Sequence, residues 1–358
     1  MNTAQNMQAA TLYGIRDVRL EQRPVPTPGP GEALLRILSV GVCGSDVHYY
    51  LEGRIGHQVV SAPIIMGHEF SAYVTALGPG VEGLDVGDLV AVEPGISCGE
   101  CEMCQLGHPN LCPHVRFCGT PPVDGVFAEY AVMPARNCFR LPAAITPPEG
   151  ALLEPLGIAI HAVNLAHLRP GDRVAVLGAG PIGLLCAAVA RAAGASAVYA
   201  SEPLAYRREF ARRYAATEVY DPSRQDVVAE VLSATSGRGV DVVFEAAGAD
   251  ETPQQAAGMV RTGGKILLAG IPASDRITFQ ASVVRRKGLT IKLVRRMKHT
   301  YPHAIRLVHN RQVDVQALIT HTFPLAQAGP AMDLVAAYQD GVIKAIIQVG
   351  STADHQGA

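Results

Sequence analysis

Three short segments carry side chains that bind metals or move protons. "GVCGSDVHYY" contains Cys43, Ser45, Asp46 and His48, "MGHEF" contains His68 and Glu69, and "LLEPLGIAIHA" contains Glu154. One thiolate, one imidazole and one carboxylate form a three-ligand zinc set with a coordination position left for water or a substrate oxygen. Glu154 is a candidate fourth ligand that would exchange with that water. Asp46 suits the acceptor of a ligating histidine's second ring N–H, which fixes tautomer and basicity. Ser45 and His48 suit a path that carries a hydroxyl proton to solvent. Taken singly, each residue has a blander use: a lone cysteine is a small buried hydrophobe, and a glutamate before Pro155 starts a helix. The chemistry is read from their joint occurrence, with Gly41, Gly44 and Gly67 expected to let the backbone turn so that the side chains converge.

A second cluster has the opposite character. "SCGECEMCQLGHPNLC" places Cys98, Cys101, Cys104 and Cys112 in the spacing C-x2-C-x2-C-x7-C. Four thiolates close the tetrahedral shell of one Zn²⁺, so such an ion holds a loop and has no position for a substrate. Gly99, Gly107, Pro109 and Asn110 suit the tight turns that a metal-clasped loop needs. This cluster is expected to be structural.

The elements that would position a second substrate lie further on. Gly178, Gly180 and Gly183 form G-x-G-x-x-G in "LGAGPIG", which includes Pro181 and Ile182, after the apolar run that starts at Arg173. The glycines allow a tight turn, backbone approach to a pyrophosphate and close helix–strand packing. The following helix N-terminus offers N–H donors to phosphate. "AVYAS" then leads to Glu202, a carboxylate suited to the two ribose hydroxyls of NAD and repelling the 2′-phosphate of NADP. Arg207 is the alternative signal, toward the adenosine end or toward NADP; NAD is the expected cofactor. The runs "VDVVFEAAG", "GGKILLAG" and "LTIKLV" complete an alternating β/α pattern and predict a parallel sheet in an α/β protein. An open zinc site beside a nicotinamide describes the oxidation of an alcohol.

Composition bounds these readings. The 358 residues are 48% hydrophobic and 17% charged, enough for two domains. A net charge of −2 and a pI near 6.6 provide no field for nucleic acid or an anionic membrane. Acidic Glu100 and Glu102 in the cysteine cluster also count against a zinc ribbon that reads nucleic acid. "MNTAQNMQAATLYG" has neither the basic start nor the apolar core of a secretory signal. Eight cysteines without an export signal suggest a reducing cytoplasm and metal or catalytic use of thiols. "RPVPTPGPG" is expected to be an extended loop, and the polar tail "STADHQGA" to fray.

The segments "VGVCGSDVHYYLEGRIG", "MGHEFSAYV", "FCGTPPVDGVFAEY", "LPAAITPPEGALLEPLGIAIHA", "LGAGPIG" and "ITHTFPL" carry a resemblance over nearly the whole chain. The chain is similar to the zinc-dependent medium-chain dehydrogenase/reductase family and, within it, resembles the polyol (sorbitol/xylitol) dehydrogenases. Common alcohol dehydrogenases of this kind use a cysteine as third ligand, where this chain has "GHEF" and "LEPL", as the polyol branch does. The resemblance implies a GroES-like β-rich catalytic domain over 1–155 and 295–358. A Rossmann domain with a doubly wound parallel sheet is implied over 156–294, with zinc, nicotinamide and substrate in the cleft between them. It implies that Cys43, His68 and Glu69 hold the catalytic zinc, with Glu154 a ligand directly or through water. Ser45 and His48 then belong to the proton path. Tyr49, Arg54, Phe117, Thr120 and Arg296 shape the polyol pocket, and Ile182, Glu202, Arg207 and Ile271 line the cofactor groove. Cys98, Cys101, Cys104 and Cys112 hold a structural zinc, and the assembly is a homotetramer or dimer. The partner expected is a small-molecule polyol, with no nucleic acid and no membrane. Arg295 and Met297 depart from the family's pocket run, which alters pocket shape and hydrogen bonding. The basic stretch Arg285 to Lys298 has a second reading as a solvated face. The rival activities within the family are 2,3-butanediol and L-threonine 3-dehydrogenation.

Overall fold

The computed structural model describes residues 6–272 and 274–350; the tail "STADHQGA" and the first five residues of "MNTAQNMQAATLYG" lie outside the described residues. The chain divides into two compact units. One takes the chain up to Glu154 and again from Tyr301 onward, and the other is Pro155–Thr300.

The first unit is built on a seven-stranded sheet. Its spatial order is Cys138–Arg140, Leu89–Val92, Glu69–Leu77, Glu32–Gly41, Lys344–Gln348 and Ile319–Pro324, with Tyr130–Pro134 also paired to Glu32–Gly41. All pairings are antiparallel except that of the last two strands. The Glu32–Gly41 strand sits at the centre and alternates Leu35 and Ile37 into the core with half-buried Leu34 and Arg36 between them. This period of two is the signature of a sheet packed more heavily on one face. The core joins Ile37, Val40, Phe70, Val74, Val90 and Phe127, among others. Two stretches of chain far apart in sequence therefore meet in one sheet, because the strand Lys344–Gln348 pairs with Ser39, Val40 and Gly41 on the edge that Tyr130–Pro134 covers only from Glu32 to Arg36.

The second unit is a six-stranded, wholly parallel sheet. Numbered along the chain, its strands are Arg173–Leu177, Ala197–Ser201, Glu218–Tyr220, Val240–Glu245, Val260–Leu268 and Thr290–Leu293. In space they run 3-2-1-4-5-6, the doubly wound order whose direction reverses between strands 1 and 4. Val240–Glu245 is buried at every position, as a strand covered on both faces must be. Glu218–Tyr220, the edge strand at one side, had no counterpart among the runs read from the sequence; its three residues are too few to show a period.

The basic stretch is only partly a solvated face. Arg285 and Arg286 lie exposed on the helix Ala281–Lys287. Lys287 Nζ, however, donates to the carbonyls of Ala257, Gly258 and Val260 at 2.6–2.8 Å, closing the C-terminal end of the helix Thr252–Met259. Lys292 Nζ donates to Leu165 O at 2.9 Å. No helix among the described residues is long and apolar enough to cross a membrane.

Candidate metal and cofactor sites

Cys43 ends the central strand's run and caps the helix Gly44–Glu52. Asp46, at the third position of that helix, accepts the Cys43 N–H at 3.0 Å, half of a capping box. Its other oxygen accepts the Gly67 N–H at 3.2 Å and lies 3.4 Å from His68 Nδ1. One fully buried carboxylate thus draws two distant segments together and faces one nitrogen of the imidazole, which suits Nε2 as the ligating atom. Gly67 has φ 89°, and a Cβ there would come within 2.8 Å of Phe127. Gly41 and Gly44 do not have the positive φ expected of turn-makers. Gly44 opens the helix, and Gly41 matters for space, as described below.

Cys43, His68 and Glu69 each offer an atom within 4.8 Å of the others. His68 and Glu69 are buried and Cys43 is half-buried. A soft thiolate, an imidazole and a carboxylate at this spacing suit Zn²⁺. Burial disfavours the charged imidazole, but Asp46 and Cys43 beside it hold the His68 pKa well above the ordinary value. Glu154 lies in the first turn of the helix Leu153–Ala166 and is buried. Burial pushes it up to about 8, with His68 and Lys344 opposing and Glu69 and Glu93 adding to the shift.

The other expected residues of this unit divide. Phe117 has its ring centroid 5.2 Å from that of His68, tilted by 57°, so it walls the metal set. Ser45 is half-buried in the first turn of the Gly44–Glu52 helix. His48, one turn on, has its Nδ1 3.2 Å from Glu52 Oε1 at a half-exposed position. Tyr49 is a core side chain whose hydroxyl lies 3.4 Å from Gln58 Oε1. Arg54 is exposed, and Thr120 is half-buried in a turn bridged to Val123. Two charged groups near the set were missed. Lys344 is buried and ion-paired with Glu69 Oε2. Glu93 is raised to about 7 by burial. Each stands in an apolar stretch, "VIKAIIQV" and "LVAVEPG"; a lone charge in such a run is the signal that would have found them.

The cysteine cluster is a separate closed set, its four sulfurs also within 4.8 Å of one another. Cys98 Sγ is 3.5 Å from Cys112 Sγ and 4.0 Å from Cys104 Sγ, and accepts the Cys101 N–H at 3.4 Å. Backbone N–H groups of Glu100 and Cys101 lower the Cys98 thiol to about 6, toward the thiolate that a metal requires. The short helix Glu102–Gln105 within this loop buries none of its residues.

In the second unit, Gly178 has φ 93°, and a Cβ on it would lie 2.9 Å from Ala247 N, beyond the end of strand 4. A Cβ on Gly183 would collide with the Gly178 carbonyl oxygen. Both positions exclude any side chain, so the turn lies tight at the reversal point of the sheet. The helix Pro181–Ala192 begins there, with Pro181 at its first position and Ile182 half-buried. Glu202 follows strand 2 directly and is buried; its oxygens accept the N–H of Ala179 at 2.8 Å and of Leu204 at 3.0 Å. Arg207 reaches the same turn, its Nη1 3.6 Å from where a Gly180 Cβ would stand. A tight glycine turn, a helix N-terminus and a strand-end carboxylate fit a dinucleotide. Ile271 is 47% exposed. Arg296 has φ 54° and is half-buried. Met297 is buried, its Sδ 2.6 Å from where a Gly157 Cβ would stand.

Known proteins are similar to this chain in sequence and in fold. The family model for the alcohol dehydrogenase GroES-like domain matches residues 29–143, and that for zinc-binding dehydrogenases matches residues 181–310. The chain is 38% identical over 343 residues to sorbitol dehydrogenase of Bacillus subtilis (strain 168), covering 96% of this chain and 97% of that one. It is 41% identical over 341 residues to a probable D-xylulose reductase A of Aspergillus clavatus, covering 94% and 95%. The crystal structure of 2R,3R-butanediol dehydrogenase from Bacillus subtilis superposes with a TM-score of 0.88 at 32% identity, over 96% of this chain and all of that one.

Proposed function

The chain belongs to the zinc-dependent medium-chain dehydrogenase/reductase family, and from that premise we propose that it oxidises a secondary hydroxyl of a polyol of the sorbitol or xylitol type to a ketose, with NAD⁺ as acceptor. The observation that carries the reading is the convergence of Cys43, His68 and Glu69 within 4.8 Å, in place of a set with a second cysteine. Similarity to a sorbitol dehydrogenase and a D-xylulose reductase at about 40% identity over nearly full length supports the substrate class.

Zinc held by Cys43, His68 and Glu69 would polarise a substrate hydroxyl, and NAD⁺ would accept the hydride. The chain's own groups set the stage. Asp46 keeps His68 in one orientation through Nδ1. Glu154, buried near the set, is either a ligand itself or joined to it through water. Ser45 takes the hydroxyl proton, and His48, at the half-exposed end of the path and steadied by Glu52, releases it to solvent. Phe117 supplies an apolar wall beside His68, and Tyr49, Arg54, Thr120 and Arg296 are assigned to the polyol pocket. Gly178, Gly180, Pro181, Ile182 and Gly183 form the pyrophosphate turn, Glu202 takes the ribose, and Arg207 and Ile271 flank the cofactor. We also assign the enzyme to the cytoplasm as a homotetramer or dimer.

The deciding experiment follows NADH absorbance with sorbitol, xylitol, 2,3-butanediol and L-threonine, each with NAD⁺ and with NADP⁺. The reading expects chelator-sensitive NADH formation that is fastest with a polyol. No turnover of any polyol, or a clear preference for L-threonine, overturns it.

Cys98, Cys101, Cys104 and Cys112 are assigned to a structural zinc. Since no residue of the short helix within their loop is fully buried, the metal would supply the ordering that a core does not. Cys101→Ser is expected to release one zinc ion per chain and to open this loop to limited proteolysis, while the ion at Cys43, His68 and Glu69 stays bound. Unchanged zinc content and unchanged protease resistance would refute the assignment.

A further inference from the structure

Lys344 and Glu69 come from strands on opposite sides of the Glu32–Gly41 strand. In the sheet register, Gly41 faces Glu69 on one side and Ile346 on the other. Residues opposite one another across a sheet share a face, and so does Lys344, two places from Ile346. The two charged side chains therefore have to meet above the middle strand, in the space where residue 41 would project. Gly41 leaves that space free: a Cβ there would collide with Glu69 Oε2 and lie 3.0 Å from Lys344 Cε. Lys344 also donates to Val42 O at 2.9 Å, which anchors the ammonium from below. The side chains are only 3% and 1% exposed, so water does not screen the pair.

We propose that Lys344, seated over Gly41, is a positioning residue that fixes the carboxylate of Glu69 as the third ligand of the metal set. The inference rests on the assignment of Cys43, His68 and Glu69 as ligands. With the lysine in place, one oxygen of Glu69 is held over Gly41, so the carboxylate meets the Cys43 sulfur and the imidazole already oriented. The repulsion of the Lys344 ammonium toward the metal acts in the opposite direction, and the experiment weighs the two.

The test compares the full chain with Lys344→Met, Lys344→Arg and Gly41→Ala, and uses Cys43→Ser to identify which ion belongs to this site. Zinc affinity is measured by competition with a chromophoric chelator, and the ligand field is read from the absorption of the Co²⁺-substituted protein. Lys344→Met is expected to weaken zinc at this site by about 10–100-fold, the usual scale for losing a group that orients a ligand, and to alter the Co²⁺ bands, while the four-cysteine site is unchanged. Lys344→Arg should restore part of the loss, and Gly41→Ala should reproduce it by displacing the carboxylate, which keeps the test open if Lys344→Met does not fold. Zinc held as tightly or more tightly by Lys344→Met, with unaltered Co²⁺ bands, overturns the positioning role. If Cys43→Ser releases no ion at all, the ligand assignment itself fails and the proposal falls with it.

Discussion

His68→Ala is expected to leave the chain with one zinc ion fewer and polyol oxidation slowed by at least about a thousandfold. The metal's share of alkoxide stabilisation is several kcal/mol, and about 4 kcal/mol corresponds to that factor. His68 is the residue whose loss isolates this term. It is buried, its Nδ1 lies 3.4 Å from Asp46 Oδ1, and its ring packs against Phe117. On the proposed assignment alanine removes a ligand, and the remaining thiol and carboxylate are a poor zinc site. The four-cysteine loop shares no ligand with this set, so its ion should remain. Metal analysis per chain and steady-state turnover check both halves. Full zinc content with lost activity would move His68 from ligand to another role; full activity would remove the metal set from the chemistry altogether.

Glu202→Ala is expected to raise the KM for NAD⁺ about a hundredfold and to shrink the preference over NADP⁺. A hydrogen bond to a charged group contributes roughly 1.5–3 kcal/mol, and losing one or two such bonds to the ribose gives a penalty of that order. The structure adds a second route to the same loss. Both oxygens of Glu202 hold backbone N–H groups, those of Ala179 inside the glycine turn and of Leu204 at the start of the next helix. Without the carboxylate the buried Ala179 N–H is left unpaired and Leu204 loses its partner, so the turn is less well ordered for the pyrophosphate. The NADP⁺ arm should move the other way. Removal of a negative charge lifts its repulsion of a 2′-phosphate, and Arg207 beside the same turn provides a positive one. Kinetics with both cofactors test this. A wild-type enzyme that uses the two equally would leave Glu202 without a discriminating role.

Much of this site was legible in the chain because its signals are local. The four cysteines within one loop, the three glycines within one turn and the ligand types in "VCGSD" and "GHEF" are spacings over a few residues. They follow from short-range geometry: a tetrahedral metal, a turn with no room for a Cβ, a helix cap. The strands of the parallel sheet were readable for the same reason, since each is an apolar run bounded by glycine or charge, and only the three-residue strand Glu218–Tyr220 escaped.

What the tertiary structure decided is how distant segments align. Asp46 joins the Cys43 and Gly67 backbones, Phe117 stands against His68, and Gly41 is an opening between two side chains. No periodicity in the sequence specifies these meetings. Lys344 is the clearest case: it reads as an odd charge in an apolar strand, and becomes intelligible only when strand pairing seats it over Gly41 against Glu69. The chain by itself named the kinds of group to which the chemistry is assigned. The register of one sheet, set by burying its apolar faces, determined which of those groups share a site and which neighbours hold them.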